Sequence, residues 1–532
     1  MLRSATTKNL AGALVAQLLA ACSASPVASA TPEPDDALDG ATLASDATPS
    51  NDEVRIDDAA PSSTDASSSD SSFDAGLASD GGPPIDPPPP PCKRTVDVAT
   101  TAQLHAAVTS VSAGDCIVLA DGDYLFDVID AKGTATAPIV IRAANRGKAT
   151  VSKGALELQG AAYVTIEGLT YQSSQAVGLT DCDHCRLTRI AFRIAETGPI
   201  SWITVRGGTG GFNRVDHNDI GPKSHAGNLI GIYGGSSIIQ HTRIDHNLFH
   251  DVGPVNSNGW ETIRVGLSSL ASSSGYAVIE YNLFQSTQGD PEVISVKSSD
   301  DVVRYNTMRD SKGQFTLRHG NRTEVYGNFI FGGGLAGTGG IRVLGMDHKI
   351  FDNYIEGVSG AAITLEGGES EETSPPGVLH YRVHRAQVVF NTSIGNAGGI
   401  ELGGGQPLEP IDCTIANNLV VASTGQAISD VGSIATTYLG NMVHPTGGAT
   451  IGITVPATQV RSVDPLLVKV GERFGLSASS TAIDAALGSF PFVLDDVDGD
   501  LRIKPDVGAD EFSSAPPIRK PLTAADVGPN SP

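Results

Sequence analysis

NGWETIRVG (258–266), DPEVISVKS (290–298), FTLRHG (315–320) and GGIRVLG (339–345) are the stretches whose reading decides the fold. In each, apolar residues alternate with polar ones, the period-2 signature of a β-strand with one buried face. Ile263 and Val265 point one way and Arg264 the other. Ile294 and Val296 oppose Ser295 and Lys297, Phe315 and Leu317 oppose Thr316 and Arg318, and Ile341 and Val343 oppose Arg342. Each strand thus carries one cation on its outer face. Lys297, Arg318 and Arg342 lie 21 and 24 residues apart, a spacing that suits one coil of a solenoid. Coils stack about 5 Å apart, so a single column of Arg264, Lys297, Arg318 and Arg342 is expected. Like charges at that distance repel, and the column implies an anionic ligand.

Working outward, an apolar-x-x-Asn pattern recurs as VDHNDI, IDHNLF, IEYNLF, VRYNTM, VYGNFI, IFDNYI, VVFNTSI and IANNLV, with asparagines 218, 247, 282, 306, 328, 353, 391 and 418. Their separations run from 22 to 38, the short ones being 22, 24 and 25. A minimum near one coil length with longer insertions predicts an all-β, right-handed parallel β-helix. Asn tolerates left-handed backbone and bonds neighbouring amides, so these positions read as turn or ladder residues. The insertions 267–277 and 367–386 are expected to project as loops that wall a cleft beside the cations. Residues Thr101 to Val111 read as a short helix capping the open first coil.

Composition divides the chain. Residues 1–22 carry Arg3 and Lys8, then an apolar run from Leu10 to Ala21 that is too short to span a membrane. The run ends Leu19-Ala20-Ala21-Cys22, which resembles the lipobox of bacterial lipoproteins and implies export, with a lipid tether on Cys22 to the outer membrane or cell surface; an ordinary secretory signal is the alternative. Residues 23–92 form an acidic Ser/Asp/Pro-rich linker, with fourteen acids against Arg55 alone. The folded domain is expected over 93–512 and a frayed, Pro-rich tail over 513–532. A formal net charge of −24 excludes nucleic acid as a general partner. Cys92 and Cys116 could pair in an oxidising compartment, Cys182 and Cys185 suit a local disulfide or free thiols better than zinc, and Cys413 reads as a buried apolar residue. DVDGD (496–500) fails the EF-hand spacing and reads as a turn.

Oxygen donors surround the cations. Strict parity would bury Glu292 beside Ile294 at high cost, so the Asp290-Pro291-Glu292 segment is expected to bend outward before its strand begins. Asp290, Glu292 and Asn258 are hard ligands suited to Ca²⁺; the same acids could instead pair with Lys297 and Arg318.

NGWETIRVG, EVISVKS and LRHG resemble the signature blocks of polysaccharide lyase family 6, the alginate lyase and chondroitinase B family, over about 95–510 and most clearly over 255–360. The resemblance implies a β-helix enzyme with Lys297 as base and Arg318 as acid or charge stabiliser. Asn258, Asp290 and Glu292 would be its Ca²⁺ ligands, and His319, Arg342 and Arg264 its substrate contacts. Asp290 stands where the family usually has Glu, and Trp260 where a small residue is common, a change that would alter a subsite. The implied activity is calcium-assisted β-elimination on an anionic uronate polysaccharide, alginate foremost, by a monomer. Dermatan sulfate cleavage and a non-catalytic carbohydrate-binding β-helix are the alternatives.

Overall fold

A computed structural model describes residues 90–253, 258–371 and 379–532. The leader, Cys22 and nearly all of the acidic linker lie outside the described residues. The rest is a parallel β-helix. Two 14-stranded sheets run from Arg94–Val98 to Thr437–Leu439 and from Gly122–Asp123 to Val460–Ser462. An 11-stranded third sheet runs from Leu156–Gln159 to Ile428–Asp430. Every neighbouring pair in the three is parallel, because each coil returns in the same direction. One continuous apolar core fills the lumen from Val98 to Val460. In the third sheet Ile263, Ile294, Phe315, Ile341, Ile363 and Ile400 stack as one inward column, as the alternation required.

The asparagines form a ladder. Each Oδ1 accepts the backbone N–H and side-chain Nδ2–H of the Asn one coil below, from Asn218→Asn247 at 3.0 and 2.9 Å to Asn418→Asn441 at 3.1 and 3.0 Å. The left-handed backbone expected at these asparagines falls instead on the residue before each: His217, His246, Tyr281, Tyr305, Gly327, Asp352, Phe390, Asn417 and Gly440. That residue turns the chain, which frees the asparagine to point inward and pair. Asn441, outside the repeat quoted above, ends the described series.

The helix spans Thr101–Thr109 with Thr100 as N-cap, and it buries Leu104 and Ala107 over the first coil. A disulfide joins Cys92 to Cys116, while Cys182, Cys185 and Cys413 are buried thiols. The DVDGD segment is a turn: Asp496 Oδ1 accepts the N–H groups of Asp498 and Asp500 at 2.9 and 2.8 Å. The tail over 513–532 does not fray. Leu522 and Val527 bury against Tyr281, Leu283 and Tyr305, Arg519 lies over the Tyr305 ring at 4.4 Å, and Arg189 donates to the carbonyls of Pro529 and Ser531. Composition alone could not reveal these partners, which lie hundreds of residues earlier.

Candidate active site

The third sheet turns its outer face to the site, and its register corrects the single cation column. Arg264 pairs with Ser295, Ser295 with Thr316, and Thr316 with Arg342. Arg264 and Arg342 therefore share one column, and Lys297 and Arg318 stand two residues further along their coils. A single column would need offsets of 33 from Arg264 to Lys297 and 24 from Arg318 to Arg342, whereas the pairs Arg264–Ser295 and Thr316–Arg342 are 31 and 26 apart. A register shift between Gly313–Phe315 and Thr338–Ile341, where one residue is inserted, supplies one of the two extra residues in the second. Gly340 accommodates it: a Cβ there would lie 1.9 Å from the Ala362 carbonyl oxygen. The coil after Arg318 is two residues longer than the 24-residue interval suggested.

Lys297 and Arg318 are neighbours across the ladder. Val296 pairs with Leu317, so the two cations leave adjoining coils side by side, and Arg318 donates its backbone N–H to Val296 O at 2.8 Å. Lys297 is 1% exposed. His319 is buried too, with its ring 6.3 Å from His380 and 6.0 Å from Tyr381. Those two residues come from the insertion over 367–386, which reaches Arg318 and His319; its residues 372–378 lie outside the described residues. Arg318 Nη1 meets His380 Nε2 directly. Sequence reasoning misses His380, because a loop without periodicity gives no facing direction.

Beside the cations three carboxylates converge. Glu292 faces outward, but by a different device from the bend expected. It begins its strand, and a bulge at Val293 switches the parity between Glu292 and Ile294. Bulges commonly re-aim side chains at sites in this way. Asp290, 3% exposed, accepts the N–H of Glu292 at 2.8 Å and of Trp260 at 3.2 Å. Burial, then the charges of Glu261 and Glu292, push its carboxyl up to about 8. Glu261, which the sequence pattern does not mark, is 1% exposed and accepts from Asn228 Nδ2 at 2.7 Å. Asn258 is half-buried two residues before Trp260. Trp260 itself is buried and supports Asp290 through its backbone.

Arg264 Nε lies 3.9 Å from Glu261, and Arg342 Nη1 lies 3.3 Å from Glu292 with Glu366 on its other side. Glu292 is thus paired with Arg342, and Asp290 accepts from backbone N–H groups. A buried carboxyl repelled by two others, ringed by oxygen donors, fits a hard divalent cation such as Ca²⁺ and not Zn²⁺. Among the described residues, His217, Asp245 and His246 also bring three possible ligand atoms within 4.8 Å. There Asp245 is held by Arg214 at 2.6 and 2.7 Å, and each imidazole Nδ1 bonds the preceding aspartate, so the group is a charge-balanced brace.

Asp290 makes stability pH-dependent. The unfolded carboxyl releases its proton near about 3.9, whereas the folded one holds it to about 8. Between these values the folded state binds more protons, so the contribution is fully present at low pH and is lost as pH rises. In chelator, the melting temperature should fall between pH 5 and 8 by at least about 2 °C more in the wild type than in Asp290→Asn. Equal slopes would contradict this electrostatic reading.

A family model described as Chondroitinase B matches residues 98–428. Among solved structures, the PL6 family alginate lyase AlyGC is 26% identical with a TM-score of 0.64, covering 76% of this chain and 60% of that one. A mutant of AlyGC is 23% identical with a TM-score of 0.68, covering 82% and 58%. A mannuronic acid specific polysaccharide family 6 lyase from human gut microbiota is 26% identical with a TM-score of 0.58, covering 66% and 86%. This chain therefore spans about three-fifths of the AlyGC chains. No curated protein matches it. The matched segment takes in every coil that carries Lys297, Arg318 and the three carboxylates, it exceeds half the chain, and the chain belongs to the Chondroitinase B family.

Proposed function

We propose that this protein is a polysaccharide lyase that cleaves an unsulfated uronate polymer, alginate foremost, by β-elimination. The observation that carries the reading is the adjacency of Lys297 and Arg318 on neighbouring coils beside the Asp290, Glu292 and Glu261 cluster. A uronate C5 proton is weakly acidic because the adjoining carboxylate is already negative, so the intermediate needs positive charge at that carboxylate. Asn258, Asp290 and Glu292, joined by Glu261, would hold Ca²⁺, which when bound supplies that neutralisation. His319, Arg264 and Arg342 orient the sugar acid.

Lys297 takes the C5 proton, the C4–O bond breaks, a C4=C5 double bond forms, and the departing oxygen is protonated. Arg318 stabilises the charge on that oxygen. A guanidinium surrenders its proton with difficulty, so a water held by Arg318 suits the donor role better.

Charge distribution favours an unsulfated polymer. Beyond Arg342 the outer wall carries Glu366 and Glu401, with Glu369, Glu371 and Glu409 nearby. A sulfate on each disaccharide would meet this acidic end. The mannuronic acid specificity of the gut relative agrees with that direction. The test is ultraviolet absorbance of unsaturated product from alginate, polymannuronate, polyguluronate and dermatan sulfate, with and without EDTA. Product from alginate or its blocks that is lost in EDTA is expected. Product from dermatan sulfate alone would reassign the substrate, and tight binding with no product would make the protein a carbohydrate-binding β-helix.

A further inference from the structure

The docked tail runs along the corner between the first and second sheets and encloses a cavity of about 560 Å³ against it. Cavities of about 300–1,000 Å³ are of the size that holds small molecules. One wall is the corner itself, where His246, Tyr281 and Tyr305 each precede a ladder asparagine on successive coils. The other wall is the tail, through Ile518, Arg519, Lys520 and Leu522. Lys297 stands at a different corner, the one that follows the third sheet.

Tyr281 and Tyr305 are 5% and 8% exposed, yet among the described residues neither phenol hydroxyl has a hydrogen-bond partner. Other buried tyrosines are satisfied. Tyr124 donates to Ala120 O at 2.9 Å, Tyr171 to Gln175 O at 3.0 Å, and Tyr354 and Tyr438 to Glu356 and Asp430, each at 2.6 Å. A tyrosine usually finds a partner when buried, because an unbonded hydroxyl in a dry place is costly. Neither oxygen is fully enclosed, and both side chains line the cavity, so the two hydroxyls open into it. Burial pushes both phenols well up, which makes them O–H donors at neutral pH.

The rings pack face to face along the corner, His246 to Tyr281 at 5.2 Å and Tyr281 to Tyr305 at 5.1 Å. Their faces cover one another, so a ligand meets their edges, a row of polar tips one coil apart. His246 bonds Asp245 through Nδ1 at 2.8 Å, which leaves Nε2 to this row. Arg189, Arg214, Arg519 and Lys520 line the cavity against one acidic side chain, Asp526. Burial, then the neighbouring Arg146, hold the Arg189 guanidinium below its usual range, so an anion beside it is stabilising. Phe329, Leu522 and Ile518 add apolar surface.

We infer that this cavity is a second ligand site, for a small organic carboxylate rich in oxygen acceptors, of the sugar-acid class. The basic side chains take the carboxylate, the phenol hydroxyls donate to ring or hydroxyl oxygens, and the apolar surface meets the C–H face of the ring. Inorganic phosphate leaves the apolar surface unused, and a neutral sugar leaves the cations unused. The inference goes beyond the lyase reading, because binding at this corner needs neither Lys297 nor turnover.

Calorimetric titration of the full chain tests it, in a Lys297→Ala background, with glucuronic, galacturonic and mannuronic acids against glucose and inorganic phosphate. At least one uronic acid should bind about 10-fold or more tighter than glucose or phosphate. Tyr281→Phe with Tyr305→Phe should weaken that binding about 10-fold, the loss of two hydrogen bonds, and leave the melting temperature unchanged. Arg318→Ala should leave the binding as it is. The inference is overturned by no binding of any uronic acid, by equal binding of glucose, or by binding that ignores the tyrosine pair and is lost in Arg318→Ala. A melting temperature lowered by the two phenylalanines would overturn it too, because the hydroxyls would then be bonded in the free protein. Uronic acid binding that depends on the tyrosine pair, in a protein whose wild type cleaves no uronate polymer, would uphold this site and sink the lyase reading alone.

Discussion

Lys297→Ala should leave a folded protein whose turnover falls by about 10²- to 10⁴-fold, the span of a lost general base. The fold should survive because the inward side of that coil is filled by Ile294 and Val296, and the lysine contributes nothing to the lumen. Arg318→Ala removes charge stabilisation rather than the base, and about 10²- to 10³-fold is expected. The comparison to make is initial rate on alginate alongside a thermal melt. A variant at position 297 that retains a tenth or more of wild-type activity, with an unchanged melt, would remove Lys297 from the chemistry.

The 21-residue interval between Lys297 and Arg318 is legible in the sequence because the one register shift in this pair comes earlier, at Val293: from Ile294 onward the strands run in step and Val296 meets Leu317. Arg342 falls in a different column from the one its spacing suggests, because the strands pair at an offset of 25 even before the inserted residue near Gly339–Gly340 and of 26 after it, and period-2 counting on one strand sees neither the coil length nor the bulge. The bulge at Val293 is hidden for the same reason, although the cost of burying Glu292 gives its outcome correctly. Glu261 shares parity with Ile263, so alternation alone assigns it inward. Only the approach of Asp290 from the next coil reveals it as part of the site. His380 and the docked tail depend on contacts far apart in the chain, for which local pattern carries no signal.

Asn328→Ala should have the largest effect on stability. The side chain is fully buried, and its Oδ1 accepts from Asn306 N and Nδ2 at 3.0 and 3.1 Å. Its Nδ2 donates to Val303 O at 2.9 Å, to Tyr326 O at 3.0 Å and to Asn353 Oδ1 at 2.9 Å. Alanine leaves at least two buried donors and one carbonyl without these partners, at about 1–3 kcal/mol for each group left unsatisfied. Some carbonyls keep a second bond and the coil relaxes, so a net loss of about 3–5 kcal/mol is expected from urea unfolding. An amide is needed because it donates and accepts at once, which lets the ladder run from coil to coil without a break. A loss below about 1 kcal/mol would mean that the ladder decorates the turn and does not hold it.

The central claim is that an amine and a guanidinium on adjoining coils cleave a uronate chain by elimination and not by hydrolysis. Mass spectrometry of the oligosaccharides released from alginate tests it most directly, because elimination leaves a new non-reducing end lighter by one water than hydrolysis does. Wild-type protein with calcium should yield only the lighter, unsaturated ends, and Lys297→Ala should yield almost none. Saturated ends, or unsaturated ends produced equally well by Lys297→Ala, would contradict the assignment of Lys297 and Arg318.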